Sequence, residues 1–443
     1  MERPGTANHL QLLPPNIERV AMLSVHTSPF GQPGSGSIGG MNVYVRELSR
    51  HLAEQGIKVD LFTRRSDPAA PAIALGEDGV RLIQIEAGPP ELLDKDSLFC
   101  YLPDFASEMA YFAAGEGVRY DLIHSHYWLS GWAGHLLRGY WDVPLVLMFH
   151  TMAHLKNAVT PEHRETTLRL QVERRLAELS DAIVAATPDE RGELIRHLNA
   201  DPARIKLVPP GIDLDRFKPG DRRAARRALD LPDGPLALFV GRIDPVKGID
   251  TLLEGFKRLV EDYQWAGPRP RLVFLGGLIQ FDGPDTTMDA DLERLSARAE
   301  ALGLGDLILF RGSQPRRLLP LYYNAVDVCT VPSRYESFGL VAVEAMACGT
   351  PIVASEVGGL RFTTEHEVSG LLVPHSEPAA LGAALHRVLT DHNLRSRLQV
   401  GARQAAVRYS WQTITSAVLR VYADLVHPVD LARAEPLQVF SGD

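Results

Sequence analysis

Short apolar runs rich in β-branched residues alternate with helical patterns along nearly the whole sequence, and this alternation restricts the possible folds more than any other feature. It is typical of α/β proteins in which helices cover both faces of a parallel sheet. In the first half the apolar runs are 20–26, 58–63, 80–86, 121–126, 144–150, 182–187 and 205–210. In the second half they are 236–241, 271–277, 307–312, 328–333, 351–355 and 370–374, and helical patterns fit between the runs, for example at 41–55 and 162–179. We therefore predict an α/β protein with two comparable domains.

The border between the halves is expected at 209–223, "PPGIDLDRFKPGDRR", because Pro, Gly and charged residues cluster there. This border gives an N-terminal domain at 19–211 and a C-terminal domain at 212–409. A last helical pattern covers about 410–425, and we expect the tails at 1–18 and 427–443 to be loose.

Composition narrows the class of protein. The chain has 443 residues, 45% of them hydrophobic, so it can bury more than one core. Its net charge of −9 argues against broad nucleic-acid binding, which needs a dense face of Lys and Arg. The cysteines form no CxxC pair, and we expect Cys100, Cys329 and Cys348 to pack in the core. Because the sequence also lacks an uncharged apolar run of about 18 residues, we expect a cytoplasmic enzyme or binding protein without a membrane span.

A glycine-rich loop precedes an amphipathic helical pattern in "PFGQPGSGSIGGMNVYVRELSRHLAEQG", residues 29–56. Glycine lets the backbone approach a phosphate closely, and the first amides of the helix, from Gly39 to Val43, have no partner within the helix. No GK[ST] follows, and the spacing departs from GxGxxG, so this is not a P-loop. The backbone at Gly39 and Gly40 is therefore a candidate anion site, and a turn without a ligand is the alternative.

A basic pair follows an apolar run in the second half, in "FVGRIDPVKG", residues 239–248. Ligands of open α/β sheets bind at the carboxyl ends of strands, and Arg242 and Lys247 stand at such an end. Arginine can meet a phosphate with two hydrogen bonds, while lysine acts as a compact charge. The pair suits a diphosphate.

Two carboxylates flank an apolar stretch in "RYESFGLVAVEAMACG", residues 334–349. Phe338, Gly339 and Leu340 are expected to begin a helix whose free amides can hold a phosphate. Glu336 lies just before this helix and can accept hydrogen bonds from sugar hydroxyls, while Glu344, inside it, can take both hydroxyls of a ribose. A salt bridge or a helix-dipole role is the alternative for Glu344.

Together these segments resemble the E-x7-E signature and the basic pair of the family 4 retaining glycosyltransferases, over roughly residues 19–425. The resemblance implies the GT-B fold, in which two Rossmann-like domains face each other across a cleft and a last helix crosses back to the first domain. It also implies that the C-terminal domain binds a nucleotide sugar and that the N-terminal domain binds most of the acceptor. Residues 410–425 are similar to the crossing helix.

The resemblance implies a role for each motif. Arg242 and Lys247 would neutralise the diphosphate of a UDP-sugar and so make it a leaving group. Glu336 would contact the transferred sugar and Glu344 the ribose, while His150 would lie beside the donor sugar. The implied catalytic group is His150, Arg242, Lys247 and Glu336, and the implied donor-binding group is Gly39, Gly40, Arg242, Lys247, Glu336, Phe338, Gly339, Leu340 and Glu344.

The sequence contains no obvious DxD motif that would hold Mg²⁺ on a diphosphate, and the basic pair can supply that charge instead. We expect no tightly bound cofactor and no metal ligands; Mg²⁺ is compatible with the activity but is not expected to be essential. The mechanism implied by the resemblance is front-face attack, in which the leaving diphosphate takes the proton of the acceptor.

Four stretches of the first half, "LSVHTSPFGQPG", "GGMNVYV", "HSHYWLSG" and "FHTMAHLKN", resemble the D-inositol-3-phosphate glycosyltransferases of mycothiol biosynthesis. Those enzymes grip an acceptor phosphate. The implied acceptor-binding residues are His26, Asn42, Lys95, Tyr127, Thr151 and Arg169. One departure stands in the glycine loop, where Ser37 precedes Gly39 by two residues and that subfamily has an Asp before its Gly-Gly pair.

Other stretches, such as "LFCYLPDFASEMAYF" and "LPLYYNAVDVCTVPS", resemble bacterial sucrose-phosphate synthases, which join UDP-glucose to fructose 6-phosphate. We therefore expect a UDP-sugar donor, with N-acetylglucosamine or glucose, and a phosphorylated small acceptor, inositol phosphate before fructose 6-phosphate. A phosphorylase-like enzyme would need a pyridoxal-phosphate lysine, and a non-catalytic nucleotide-sugar sensor would lack Lys95, Tyr127 and Thr151. A homodimer is compatible with the sequence.

Overall fold

The computed structural model describes residues 17–30, 39–76, 79–159, 164–282 and 285–426. Ser37, most of the glycine loop and the tails at 1–16 and 427–443 lie outside the described residues. Two parallel sheets with helices on both faces form the body of the protein, which confirms the predicted α/β class.

The first sheet is built from the N-terminal half. Its strands are β1 (Arg19–Leu23), β2 (Lys58–Arg64), β3 (Ile73–Leu75), β4 (Arg81–Ile85), β5 (Leu122–His126), β6 (Leu145–Met148), β7 (Ala182–Ala185) and β8 (Ile205–Leu207). Its helices are α1 (Gly40–Glu54), α2 (Lys95–Phe99), α3 (Leu102–Glu116), α4 (Tyr127–Trp141), α5 (Ala153–Val159), α6 (Thr167–Leu179) and α7 (Pro188–Leu198). The strand order is β3-β4-β2-β1-β5-β6-β7-β8, and only β3 is antiparallel to its neighbour.

The second sheet is built from the C-terminal half. The strands of this half are β9 (Leu236–Val240), β10 (Arg271–Leu275), β11 (Ile279–Asp282), β12 (Asp285–Met288), β13 (Ile308–Phe310), β14 (Val328–Val331), β15 (Ile352–Ser355) and β16 (Gly370–Val373). The sheet order is β13-β10-β9-β14-β15-β16, all parallel, while β11 and β12 form a separate hairpin.

The helices of the second half are α8 (Arg222–Ala228), α9 (Ile249–Glu261), α10 (Ala290–Ala301), α11 (Leu319–Ala325), α12 (Leu340–Ala347), α13 (Gly358–Thr363), α14 (Pro378–Thr390), α15 (His392–Val407) and α16 (Trp411–Val426). Three short 3-10 helices lie at Pro245–Lys247, Gly305–Leu307 and Arg316–Leu318. None of the helices in the described part of the chain is long and apolar enough to cross a membrane.

In an open parallel sheet the ligand binds where the strand order reverses. The loops at the carboxyl ends of the two strands run in opposite directions there and leave a crevice between them. In the first sheet this point lies between β1 and β5, and in the second between β9 and β14. His26 follows β1 and Tyr127 follows β5, whereas Arg242 and Lys247 follow β9 and Glu336 follows β14. These five predicted site residues therefore stand at the two reversal points.

The last helix, α16, returns to the first domain. The Tyr422 hydroxyl lies 2.6 Å from Nδ1 of His124 in β5, and Trp411 stacks on His51 of α1 at 5.2 Å. The chain passes between the domains twice, near Ile212 and near Tyr409. The Ile212 amide donates to the Tyr409 carbonyl at 2.7 Å, so these two connections run side by side. This arrangement confirms the predicted crossing helix.

Several local expectations differ from the structure. Ile17, assigned to a loose tail, is buried, and the Glu18 amide donates to Asp121 Oδ2 at 2.7 Å. Cys100 is exposed because it ends the short helix α2, while Cys329 and Cys348 are buried as predicted. The strand β3 and the β11–β12 hairpin were not predicted.

Candidate active site

The carboxyl ends of both sheets face one cleft, which encloses a cavity of about 420 Å³. Helix α1 begins on one wall and α12 on the other. A methyl group placed on Gly40 would lie 3.3 Å from Leu340 Cδ1, and one placed on Gly39 would lie 3.9 Å from Arg242 Nε. Two helix N-termini and a guanidinium thus approach one another across the cleft, an arrangement suited to a phosphate-bearing ligand.

Lys247 and Glu336 form an ion pair on the C-terminal wall, with Nζ donating to Oε2 at 2.7 Å. The pair depends on the glycine after Lys247: Gly248 has φ of 65°, and a Cβ there would collide with the carbonyl oxygen of Pro332. Only glycine lets the loop after β9 pack directly on the loop after β14. Arg242 is less constrained, with Nη2 3.4 Å from Asp244 Oδ2 and a half-exposed side chain.

Glu344 is buried inside α12 and already has protein partners. Arg316 Nη2 donates to its Oε1 at 3.2 Å, and the Tyr323 hydroxyl donates to its Oε2 at 3.0 Å. Burial raises the pKa of Glu344, and the Arg316 guanidinium opposes that effect. Arg316 Nη1 also reaches Glu47 of α1, so the carboxylate predicted to take a ribose is tied to the opposite domain.

Gly339 begins α12 with φ of 94°, a left-handed conformation, and a Cβ there would come 2.7 Å from Leu360 Cδ2. The glycine therefore both permits the turn and leaves the first helical amides unobstructed. Phe338 is buried and Leu340 lines the cleft beside it.

His150 lies in the loop between β6 and α5 in a left-handed conformation, with φ of 62°, which is uncommon for a residue with a side chain. Its Nε2 lies 3.0 Å from Nδ1 of His126. Burial lowers the pKa of His150 to about 3, so its imidazole is neutral at physiological pH. A neutral ring whose position is fixed by a neighbouring histidine can exchange hydrogen bonds with a sugar hydroxyl.

Basic and hydroxyl groups cluster on the N-terminal wall. Lys95 Nζ lies 5.3 Å from the ring centre of Tyr127, which itself has φ of 79°, and Thr151 lines the cleft nearby. Burial lowers the pKa of Lys95 to about 8, and the charge of Lys156 adds to the effect. A lysine held among other cations is a site for an anion.

Arg169 takes a different position from the one expected of an acceptor ligand. Its side chain is buried behind the cleft wall, with the guanidinium carbon 4.7 Å from the ring centre of Tyr127. Nε donates to Glu173 Oε1 at 2.6 Å, and Nη2 donates to the Thr151 carbonyl oxygen at 2.9 Å. Arg169 thus supports Tyr127 and Thr151 instead of facing the cavity.

Asn42 lines the cleft, yet its side chain has structural partners. Oδ1 accepts from the Gly39 amide at 3.1 Å, and Nδ2 donates to Thr27 Oγ1 and to the Ser28 carbonyl oxygen, both at 3.0 Å. Asn42 holds the start of α1 against the loop after β1. His26, the other residue predicted on this side, packs against the Tyr127 ring at 4.5 Å.

All the predicted site residues except Arg169 line the one cavity. Sequence reasoning missed other lining residues, namely Tyr44, Lys156, Glu190, Ser313, Gln314, Arg316 and Ser337. Arg316 could have been predicted as a lining residue, because it follows β13 and so stands at the carboxyl end of a strand. Glu190 carries the same signal, because it comes five residues after the end of β7. Burial raises the pKa of Glu190 to about 7.

Residues 38–216 match the model described as Glycosyltransferase Family 4, and residues 221–405 match the model described as Glycosyl transferases group 1. A D-inositol 3-phosphate glycosyltransferase of Xylanimonas cellulosilytica is 45% identical over 91% of this chain and 96% of its own length. One from Geodermatophilus obscurus is also 45% identical, over 91% of this chain and 89% of its own length. Among solved structures, sucrose-phosphate synthase of Thermosynechococcus elongatus has a TM-score of 0.83 and 36% identity, covering 93% of this chain and 100% of that one. The chain therefore belongs to the GT-B glycosyltransferase family that contains the D-inositol 3-phosphate glycosyltransferases.

Proposed function

We propose that this glycosyltransferase moves a hexosyl group from a UDP-sugar to a hydroxyl of D-inositol 3-phosphate, with retention of configuration. The observation that carries the proposal is the position of Lys95, Tyr127 and Thr151 in the same cavity as Arg242 and Lys247. One cavity thus offers two separate places for phosphate groups, one on each wall. The names of the 45% identical relatives agree with an inositol phosphate acceptor.

The donor diphosphate would lie between the N-termini of α1 and α12. Arg242 and Lys247 would neutralise its charge, and this stabilisation grows in the transition state, when the sugar–oxygen bond breaks and the β-phosphate becomes a leaving group. A diphosphate at Lys247 would compete with Glu336 for the ammonium group. The released Glu336 carboxylate could then accept hydrogen bonds from hydroxyls of the transferred sugar.

In the proposed step the acceptor oxygen attacks the anomeric carbon on the face that the diphosphate leaves. The bond from that carbon to the phosphate oxygen breaks, the bond to the acceptor oxygen forms, and the acceptor proton moves to the departing phosphate. His150 is neutral and is held by His126 near this point, so it would orient the sugar by hydrogen bonding and not by charge.

Sucrose-phosphate synthesis is the second candidate, because the synthase structure at 36% identity superposes with a TM-score of 0.83. Both reactions need a UDP-sugar and a phosphorylated acceptor, so the donor wall does not distinguish them. Ser37, where the glycine loop departs from the inositol-type pattern, lies outside the described residues.

A UDP-release assay that crosses UDP-N-acetylglucosamine and UDP-glucose with D-inositol 3-phosphate and fructose 6-phosphate tests the proposal. We expect turnover with the inositol phosphate, and NMR of the product should show the anomeric configuration of the donor. Turnover only with UDP-glucose and fructose 6-phosphate would replace the proposal with the second candidate. UDP-sugar binding without turnover of either acceptor would favour a sensor.

A further inference from the structure

A group of three potential metal ligands lies on the N-terminal domain, outside the cleft lining. His154 belongs to α5, whereas Glu193 and His197 are four residues apart on α7 and so share one face of that helix. Helices α5 and α7 are separated by α6 in the chain, so the fold brings the third ligand to the other two.

The distances between the three possible ligand atoms are close to those around a bound zinc ion. His154 Nε2 lies 3.1 Å from Glu193 Oε2, and His197 Nε2 lies 3.4 Å from the same oxygen. One ligand atom from each residue lies within 4.8 Å of the other two. Ligand atoms about 2.0–2.1 Å from a tetrahedral zinc ion are themselves about 3.4 Å apart, so this spacing is already close to the required one.

The surroundings hold the ligands together. The two imidazole rings stack, with centres 4.5 Å apart and planes inclined by 24°. Arg196 forms an ion pair with Oε1 of Glu193, which leaves Oε2 to the histidines. His154 Nδ1 is buried and has no hydrogen-bond partner among the described residues, so the hydrogen bond that holds this ring is the one from Nε2 to Glu193 Oε2.

One side of the group is open. His197 is 52% exposed, whereas His154 and Glu193 are 18% and 20% exposed. An ion could therefore enter from solvent and keep a water molecule as its fourth ligand, as three-ligand zinc sites do.

We propose that His154, Glu193 and His197 bind one transition-metal ion of the Zn²⁺ class. Two imidazole nitrogens and one carboxylate oxygen suit Zn²⁺, Co²⁺, Ni²⁺ and Cu²⁺, whereas Mg²⁺ and Ca²⁺ favour oxygen ligands throughout. This metal site is separate from the place proposed for the diphosphate. The proposal puts no metal ion at the diphosphate.

The position of the site suggests what the ion would do. Helix α5 follows Thr151 and contains Lys156, both of which line the cleft, and α7 packs against α13 of the other domain. A metal joining α5 to α7 would fix the segment that presents the acceptor-side residues. Without metal, the same three residues form a hydrogen bond between His154 and Glu193 and a stacked histidine pair.

Cobalt and zinc titrations of the full-length, tag-free, chelator-treated protein test the proposal. We expect one equivalent of Co²⁺ to give the visible absorption bands of a tetrahedral ion, and Zn²⁺ to displace it. In His197→Ala, whose exposed position should leave the fold intact, the affinity should fall at least about tenfold. His392→Ala, which removes an exposed histidine at the start of α15, is the matched control and should bind as the wild type does.

Glu193→Gln keeps the side-chain volume and should also weaken Co²⁺ binding, while thermal unfolding of each variant without metal checks that it is folded. The absence of a Co²⁺ spectrum in the wild type would overturn the proposal. Equal affinity in the wild type and in folded His197→Ala would overturn it as well, because the metal would then be bound elsewhere.

Discussion

Arg316 Nη1 lies 2.8 Å from Glu47 Oε1, although the two residues belong to different domains. The same guanidinium reaches Glu344 Oε1 through Nη2 at 3.2 Å. All three side chains are almost fully buried. One arginine therefore connects the first helix of the N-terminal domain to the carboxylate that the sequence predicts as the ribose ligand, so it couples the position of Glu344 to a contact between the domains.

Arg316→Ala should strongly destabilise the protein. The substitution leaves Glu47 and Glu344 buried without their common partner, and breaking a buried ion pair in this way typically costs about 3–5 kcal/mol. Urea unfolding measures the change in the free energy of unfolding. Arg317→Ala, one residue away and exposed, is the control and should remain within about 0.5 kcal/mol of the wild type. An Arg316→Ala protein as stable as this control would show that the contact contributes little.

Lys247→Ala should weaken UDP binding and lower kcat/KM for the donor at least about tenfold, because a charge-assisted contact to the diphosphate is lost. Calorimetry with UDP and initial rates with the donor measure the two effects. Lys257→Ala removes a partly exposed lysine of α9, which forms an ion pair with Glu261, and serves as the control. Wild-type kcat/KM in Lys247→Ala would refute the assignment of the basic pair.

Glu336→Ala should behave differently from Lys247→Ala. The carboxylate is proposed to contact the sugar and not the diphosphate, so kcat/KM should again fall at least about tenfold. UDP alone should bind as tightly as before or more tightly, since Glu336 no longer competes for Lys247. Parallel titrations with UDP and with the intact UDP-sugar make the comparison. Equal losses for both ligands would place Glu336 at the diphosphate.

The position of the proposed donor-site residues at the cleft was predictable because these residues follow strands. Arg242 and Lys247 come directly after β9, and Glu336 comes after β14, so the strand pattern and the rule for carboxyl ends were sufficient. The partner of Arg316 could not be predicted in the same way. Glu47 is distant in the sequence and in another domain, and only the relative placement of the domains brings the two residues together.

Arg169 shows the corresponding limit on the acceptor side. Its residue type suits a phosphate, but the sequence does not show on which side of a loop a side chain lies, and Glu173 one turn away holds the guanidinium behind the wall. The short strand β3 escaped prediction because Ile73 and Leu75 are exposed at the sheet edge, where burial does not impose a long apolar run. Likewise only two of the three residues of the proposed metal site, Glu193 and His197, are close in sequence.

Tyr422→Phe should destabilise the attachment of the crossing helix. The Tyr422 hydroxyl lies 2.6 Å from His124 Nδ1 in the core, and burial lowers the pKa of His124 to about 3, so the histidine is neutral. Removing the hydroxyl leaves that nitrogen without its partner, at a cost of about 1–3 kcal/mol. Urea unfolding compares it with Tyr111→Phe, an exposed tyrosine whose change should be within about 0.5 kcal/mol. Equal stability of the two variants would contradict the expectation.

Acceptor use should decline at alkaline pH because of Lys95. Burial and the charge of Lys156 lower its pKa to about 8, so the ammonium group that would bind the acceptor phosphate is mostly charged at pH 7 and is lost as the pH rises through about 8. The acceptor phosphate itself gains its second charge near pH 6, so kcat/KM for the acceptor should rise towards neutral pH and fall above about 8. Lys95→Met should lower kcat/KM at pH 7 and remove the alkaline decline, whereas Lys58→Met, at an exposed position in β2, should leave the profile unchanged. An alkaline decline that persists in Lys95→Met would assign the titration to another group, because methionine carries no charge to lose.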